Sequence, residues 1–261
     1  MQLNQARIVL TGATGGLGEA LAGQLAAAGA ALLVHGRDSG RLAALTLPAG
    51  AEIKRLPADL TTAEGVARLA EAARHFRANV LINNAGVGGF GLFDGQAWPE
   101  VERILATNLQ APVHLTHALL PWLKEQPAAA IVNIGSAFGS IPFAGFAAYS
   151  AAKAGLRALS TALRRELADT PVRVIHISPR AIDTPLNSPA VNALNLELGN
   201  ACDHPERVAA QVVAALRKGT AERHIGFPEQ LFAWLNGAAR PLVDRGLAGK
   251  LATIKQHAKT R

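Results

Sequence analysis

The sequence predicts a single α/β domain with a doubly wound parallel sheet, and three observations carry that prediction. Short apolar strands alternate with helical stretches almost from end to end. The connections between them are mostly short, as strand–helix–strand units require. The first strand also runs directly into a glycine-rich turn that opens an alanine-rich helix. At 261 residues with 49% apolar content, the chain suits one large domain with a substantial core. No Pro/Gly/Ser linker divides it, and no repeat of solenoid period is visible.

The expected strands are the apolar runs Arg7–Thr11, Ala31–His35, Glu52–Pro57, Val80–Asn83, Ala129–Ile134, Val172–Ser178 and His224–Phe227. Between them, apolar residues recur at helical spacing over Gly16–Ala28, Ser39–Leu45, Ala63–Phe76, Trp98–Gln110, Pro112–Glu125, Tyr149–Ala168 and Pro205–Lys218. One segment breaks the rhythm. Thr184–His204, with Pro185, Pro189 and four asparagines, reads as a long irregular loop, either a lid or a surface excursion. The main domain is expected over residues 1–227, with a helical basic extension over 228–261.

Composition removes several classes of function. The lone Cys202 permits neither an internal disulfide nor a cysteine-based zinc site, and no metal is expected. Met1 to Arg7 has no basic-then-apolar leader, and no apolar run approaches the roughly 18 residues of a spanning helix. A cytoplasmic protein is therefore expected. The net charge of +7 is concentrated at the end: between Arg240 and Arg261 six basic residues face Asp244 alone, so that stretch holds +5. The body is nearly neutral, which argues against a nucleic-acid partner.

The first strand ends in "TGATGGLGEA", Thr11 to Ala20. Glycines 12, 16 and 18 let the backbone approach a pyrophosphate at a helix N-terminus, which makes Gly12, Thr14, Gly16, Leu17 and Gly18 candidate cofactor contacts. The second strand runs out through Gly36 into Arg37, with no acid at its end. A ribose 2′-phosphate wants a guanidinium there and a free 2′-hydroxyl a carboxylate, so the expectation is NADP(H) rather than NAD(H); Asp38 is the alternative ribose partner. Asp59 and Leu60 end the third strand, where a carboxylate can accept from an adenine amino group. "NNAG" ends the fourth, offering Asn83, Ala85 and Gly86.

The chain's only tyrosine, Tyr149, stands one helical turn before Lys153. A free phenol is a poor base at neutral pH, and a neighbouring ammonium together with the positive charge of an oxidised nicotinamide favours its ionised form. Ser136, after the fifth strand, is placed to hold a carbonyl oxygen that Tyr149 protonates, and Asn108 to bind a water that relays protons through Lys153.

With these residues in this order, the chain resembles the short-chain dehydrogenase/reductase family, in its single-domain branch of about 250 residues. The resemblance runs from Gln5 to about Phe227 and rests on the glycine turn, Asp59, Asn83–Gly86, Asn108, Ser136, the Tyr149–Lys153 pair and Pro179. It implies a Rossmann-type fold and a catalytic tetrad of Asn108, Ser136, Tyr149 and Lys153, with Lys153 also on the nicotinamide ribose. It further implies that Pro179, Ile182 and Thr184 cover the nicotinamide amide. One departure is Arg180, where the family usually has glycine; its side chain is expected to touch a polar substrate tail or to point to solvent.

The expected reaction is hydride transfer between NADP(H) and the carbonyl or secondary alcohol of an apolar substrate, in the direction of ketone reduction. Phe90, Phe93, Phe138, Ile141, Phe143, Phe146 and Leu186 are expected to face that substrate. A 3-oxoacyl-(acyl carrier protein) reductase-like enzyme is the nearest alternative, and an NADP(H)-sensing protein without turnover the alternative from another class. A homo-oligomer is expected from Leu115, Leu119, Leu156 and Leu159, read as apolar residues outside the chain's own core. In the tail, a short helix with Leu231, Phe232, Trp234 and Leu235 precedes an apolar stripe of Leu242, Val243, Leu247, Leu251 and Ile254 among basic residues. That stripe suits either peripheral contact with an anionic membrane or packing over the pocket or a partner subunit.

Overall fold

The computed structural model describes residues 1–258. The basic residues Lys259 and Arg261 of the tail lie outside the described residues. Seven strands form one parallel sheet: β1 (Arg7–Leu10), β2 (Ala31–Gly36), β3 (Ile53–Pro57), β4 (Val80–Asn83), β5 (Ala129–Ile134), β6 (Val172–Ser178) and β7 (Glu222–His224). Their order across the sheet is β3-β2-β1-β4-β5-β6-β7. The chain therefore winds outward from β1 to one edge, returns to β4, and winds to the other edge. The crevice above the carboxyl ends of β1 and β4 is the switch point where open sheets of this kind hold ligands.

The strands are continuously apolar because both faces are covered. Ile8, Leu10, Ile82, Val132 and Ile177 point to the layer formed by α1 (Gly16–Ala27), α2 (Ser39–Ala44) and α8 (Pro205–Lys218). Val9, Leu33, Leu81 and Ile131 point the other way, onto α3 (Ala63–His75), α5 (Ala111–Lys124) and α6 (Ala147–Glu166). Local chemistry sets the helix ends. Asp38 caps α2 by accepting from the Arg41 N–H, Thr62 caps α3 by accepting from Gly65, and Gly219 closes α8 at a positive φ.

Three segments differ from the sequence expectation. The helix expected to end at Gln110 does not stop: α4 (Trp98–Leu105) passes through a π-helical turn, Ala106–Gln110, straight into α5. Pro112 stands just after that π-helical turn, in the first turn of α5. The stretch Thr184–His204 is not wholly irregular, because Ser188 caps a helix α7 (Pro189–Glu197) that starts on the proline taken as a breaker. The seventh strand lies two residues earlier than expected, paired with His176–Ser178 of β6, and Gly226 at φ +107° turns the chain into α9 (Phe227–Ala238).

The chain then continues through α10 (Arg240–Ala248) and α11 (Leu251–Ala258). The expected tail stripe is split by this fold. Val243 and Ile254 are buried and Leu247 partly so, with Ile254 and Leu247 in a cluster with Phe90, Phe143, Phe146 and Leu194, whereas Leu242 and Leu251 are exposed. Among the described residues no helix is long and apolar enough to cross a membrane.

Candidate active site

A continuous cleft of about 1300 Å³ runs over the carboxyl ends of β1 to β6. One arm follows the glycine turn. Gly12 has φ +66°, and a Cβ there would lie 2.7 Å from the Ala85 Cα. A Cβ on Gly18 would run into the Gly12 carbonyl, and one on Gly16 would lie 2.7 Å from the Thr184 methyl. These glycines let the β1 turn, the β4 end and the segment after β6 approach one another closely. The first N–H groups of α1 have no acceptor within the helix and lie at this arm, suited to an anionic group.

Thr14, Leu17, Arg37, Asp59, Leu60, Ala85 and Gly86 all line the cleft, as do Pro179, Ile182 and Thr184. Arg37 is exposed at the end of β2. Beside it is a residue that sequence reasoning missed: Arg41, on α2, donates to the Thr14 carbonyl and also lines the arm. Its signal was available, since Arg37 and Arg41 are four apart. Asp38, the alternative ribose partner, has one carboxylate oxygen on the Arg41 N–H as a helix cap. Asp59 accepts from the Thr61 N–H at 2.9 Å and hydroxyl at 2.8 Å, and these bonds hold its carboxyl below the usual range.

Asn83 does not line the cleft. Its amide is buried and donates to Asn133 at 2.8 Å and Thr116 at 3.1 Å, because the residue ends a strand whose side chain there turns toward α5. The next residue, Asn84, lines the cleft instead and ties the Thr11 and Gly12 carbonyls to the end of β4.

At the junction of the two arms stand Ser136, Tyr149, Lys153 and Asn108. The first turn of α6 carries Tyr149, and its second turn carries Lys153. The Lys153 ammonium donates to the Ile134 carbonyl at 2.9 Å, and burial lowers its pKa to about 8. Burial pushes the Tyr149 phenol upward, and a hydrogen bond with Ser136 offsets part of that rise. The Lys153 ammonium alone therefore does not favour the phenolate. Burial dominates both groups and disfavours both charges, and the ammonium lies 5.8 Å from the phenol ring while bound to a carbonyl. Asn108 sits in the π-helical turn. Its amide donates to the Val87 and Ile104 carbonyls and its oxygen accepts from Val87 N–H, so the side chain stitches the turn to the β4 loop.

The second arm is an aromatic chamber. Phe138 and Phe143 stack at 5.2 Å, Phe90 lies 5.1 Å from Phe146, and Phe146 meets the Tyr149 ring edge-on at 6.4 Å. Ile141 and Leu186 also line it, while Phe93 does not: it stands in a short turn, 59% exposed. Val191 and Leu198 from the α7 region and Leu247 from α10 complete the lining. Arg180 lines the cleft and is mostly buried there rather than pointing to solvent. Its guanidinium grips the buried Asp203 carboxylate through two bonds, at 2.9 and 3.0 Å, across the base of the segment that carries α7.

A family model described as short chain dehydrogenase matches residues 6–195. The chain belongs to the short-chain dehydrogenase family. An uncharacterized oxidoreductase of Staphylococcus epidermidis is 32% identical over 180 residues, 68% of this chain and 78% of the relative. A ketoacyl reductase, HetN, of a Nostoc species is 32% identical over 227 residues, 82% of this chain and 76% of the relative. Among solved structures, a short chain dehydrogenase from Burkholderia cenocepacia in complex with NADP superposes with a TM-score of 0.81 at 28% identity, covering 95% of this chain and 99% of that one. As a short-chain dehydrogenase, the protein is an oxidoreductase acting on CH–OH/C=O groups with a nicotinamide cofactor.

Proposed function

We propose that the protein is an NADP(H)-dependent reductase of apolar ketones, with Asn108, Ser136, Tyr149 and Lys153 as its catalytic machinery. The observation that carries the reading is the convergence of Ser136, Tyr149 and Lys153 where the glycine-lined arm meets the aromatic chamber. A bound nicotinamide supplies the hydride. The backbone of Gly12–Gly18 would hold the pyrophosphate, Ala85 and Gly86 the face of the cofactor, and Pro179, Ile182 and Thr184 its nicotinamide end. Two guanidinium groups, Arg37 and Arg41, favour a 2′-phosphate on the ribose, since each supplies a charge-assisted donor at the end of β2.

The Ser136 hydroxyl turns to donate to the substrate oxygen, and Tyr149 delivers its proton there. The phenol carries its proton at neutral pH and so can deliver it, and the Ser136 hydrogen bond works against the rise that burial imposes. Lys153 would hold the ribose hydroxyls of a bound cofactor and restore the proton of the phenol. Asn108 fixes the β4 loop that borders both.

The chamber sets the substrate class, an apolar ketone flanked by rings or a chain. The likeness to a protein named as a ketoacyl reductase makes 3-oxoacyl thioesters the first group to assay. No observation favours a non-catalytic sensor. The protein is further proposed to act as a homo-oligomer. Of the four leucines read as interface residues, Leu115, Leu119 and Leu156 are buried in the chain itself. Leu159, with Leu109, Val113 and Ala158, instead lines a shallow apolar groove between α5 and α6.

A panel of ketones and 3-oxoacyl thioesters, followed by loss of NADPH absorbance, tests the reading. Turnover of an apolar member with NADPH, abolished in Tyr149→Phe, is expected. Absence of turnover across the panel despite NADPH binding would overturn it.

A further inference from the structure

The aromatic chamber opens through a rim that is itself apolar. Phe232 of α9, Leu242 of α10 and Leu186 line the cleft, yet they are 50%, 65% and 49% exposed. Outside the rim, α9 turns Asn236 inward, where its amide donates to the Ser140 carbonyl at 2.8 Å. Leu231 and Trp234, three residues apart, share the opposite side of that helix, and Trp234 is 67% exposed. A grouped apolar surface of this kind marks an interaction site more often than scattered exposed residues do.

The two helices that follow α9 are mostly basic. Arg240, Arg245 and Lys255 are exposed on α10 and α11, Lys250 stands at the cleft mouth, and Asp244 is the only acid on these two helices. Residues 240–258 carry four basic residues against Asp244, a net +3, so a negative surface would attract this end of the molecule.

We propose that the α9–α10 face docks on an anionic lipid surface and presents the cleft mouth to it. Tryptophan and leucine ringed by lysine and arginine are what an interfacial helix needs. The chamber behind the rim suits a molecule that partitions into lipid, so docking would place the mouth where such a substrate is concentrated. That last step rests on the ketone-reductase reading, whereas the docking stands on the surface alone. The docking residues differ from the sequence-derived stripe: Val243, Leu247 and Ile254 face inward, and the outward set is Leu231, Phe232, Trp234 and Leu242.

Co-sedimentation with phosphatidylcholine vesicles containing about one-third phosphatidylglycerol tests the proposal. The full chain should bind at low salt, release at high salt, and ignore pure phosphatidylcholine. Two double variants lie outside the cleft, Leu231→Ser with Trp234→Ser and Arg245→Glu with Lys255→Glu. Both should keep NADPH binding, and each should lower vesicle partitioning about tenfold or more. The proposal fails if the unmodified chain stays in the supernatant with anionic vesicles or if both variants bind as it does. It also fails if the apolar variant changes the light-scattering mass, which would make this face a contact between copies of the chain. Vesicle binding without turnover of any ketone would leave the docking surface standing and sink the functional reading alone.

Discussion

Replacing Arg180 with glycine should loosen the segment that carries Pro179, Ile182 and Thr184, proposed above to hold the nicotinamide end of the cofactor. The structure allows the effect to be sized. Arg180 makes two bonds to an Asp203 side chain that is only 3% exposed. Beside them, Asp203 N–H donates to the Ala181 carbonyl at 2.9 Å and Asp183 N–H donates to the Asp203 carbonyl at 3.0 Å. The ion pair therefore locks a short parallel bridge between Ile182 and Asp203. After the substitution Arg207, 3.6 Å away and 71% exposed, still faces Asp203 but compensates little. Removing one partner of a buried pair costs about 3–5 kcal/mol. The arginine is itself 18% exposed, so the lower end, about 3 kcal/mol, is expected.

That cost falls on the bridge, and Pro179, Ile182 and Thr184 are the residues the bridge holds. If cofactor binding must re-form it, up to about 3 kcal/mol passes into affinity, an increase in Kd of roughly ten- to a hundredfold for NADPH. The assay is fluorescence titration of NADPH, with protease sensitivity of residues 181–203 as a readout of opening. Asp203→Asn should weaken binding less, and the double variant should fall well short of the sum of the two singles. Binding within twofold of the unmodified protein, or strict additivity, would refute the clamp.

Tyr149→Phe should lower turnover by about 10²–10⁴ while leaving NADPH affinity nearly unchanged, and retention of more than a tenth of the rate would sink the acid role. Arg37→Ala and Arg41→Ala should each narrow the preference for NADPH over NADH by about tenfold, the worth of a charged hydrogen bond; equal affinities for the two cofactors in the unmodified chain would defeat the assignment. In the cofactor-free protein, the depressed Lys153 means that the unfolded chain binds more protons between about pH 8 and 10.5, so stability should rise with pH there. Above the ordinary tyrosine value of 10.0 the raised Tyr149 acts in the opposite sense. Urea midpoints across this range should flatten in Lys153→Met, and identical slopes would argue against a buried lysine. Val113→Glu with Ala158→Glu, in the α5–α6 groove, should reduce the light-scattering mass to one chain; an unchanged multimer would move the interface elsewhere.

What the sequence revealed and what it hid follow from the range of the forces involved. Strand and helix positions were legible because periodicity is local: β4, β5, β6 and α8 match their expected limits to the residue. The glycine turn was legible because its constraint is steric, and a Cβ at Gly12 or Gly18 meets backbone that cannot yield. Side-chain direction was less so. Asn83 and Asn84 are chemically identical neighbours, and only the pleat decides that one enters the protein and the other the cleft. Phe93 and Phe90 differ likewise by a turn whose geometry no periodicity encodes. Arg180 was hidden for a longer-range reason, since its partner lies 23 residues away beyond a segment without strand or simple helix pattern. The effect of burial on Tyr149 and Lys153 was hidden for a related cause. Proximity of Tyr149 to Lys153 is a property of spacing, but burial is a property of the assembled fold, and for two groups walled in by β5, α6 and the aromatic chamber, desolvation outweighs their mutual attraction. The phenol is therefore a proton donor by default, and a positive charge brought in by the oxidised cofactor is what would let the same residue serve as a base in the reverse direction.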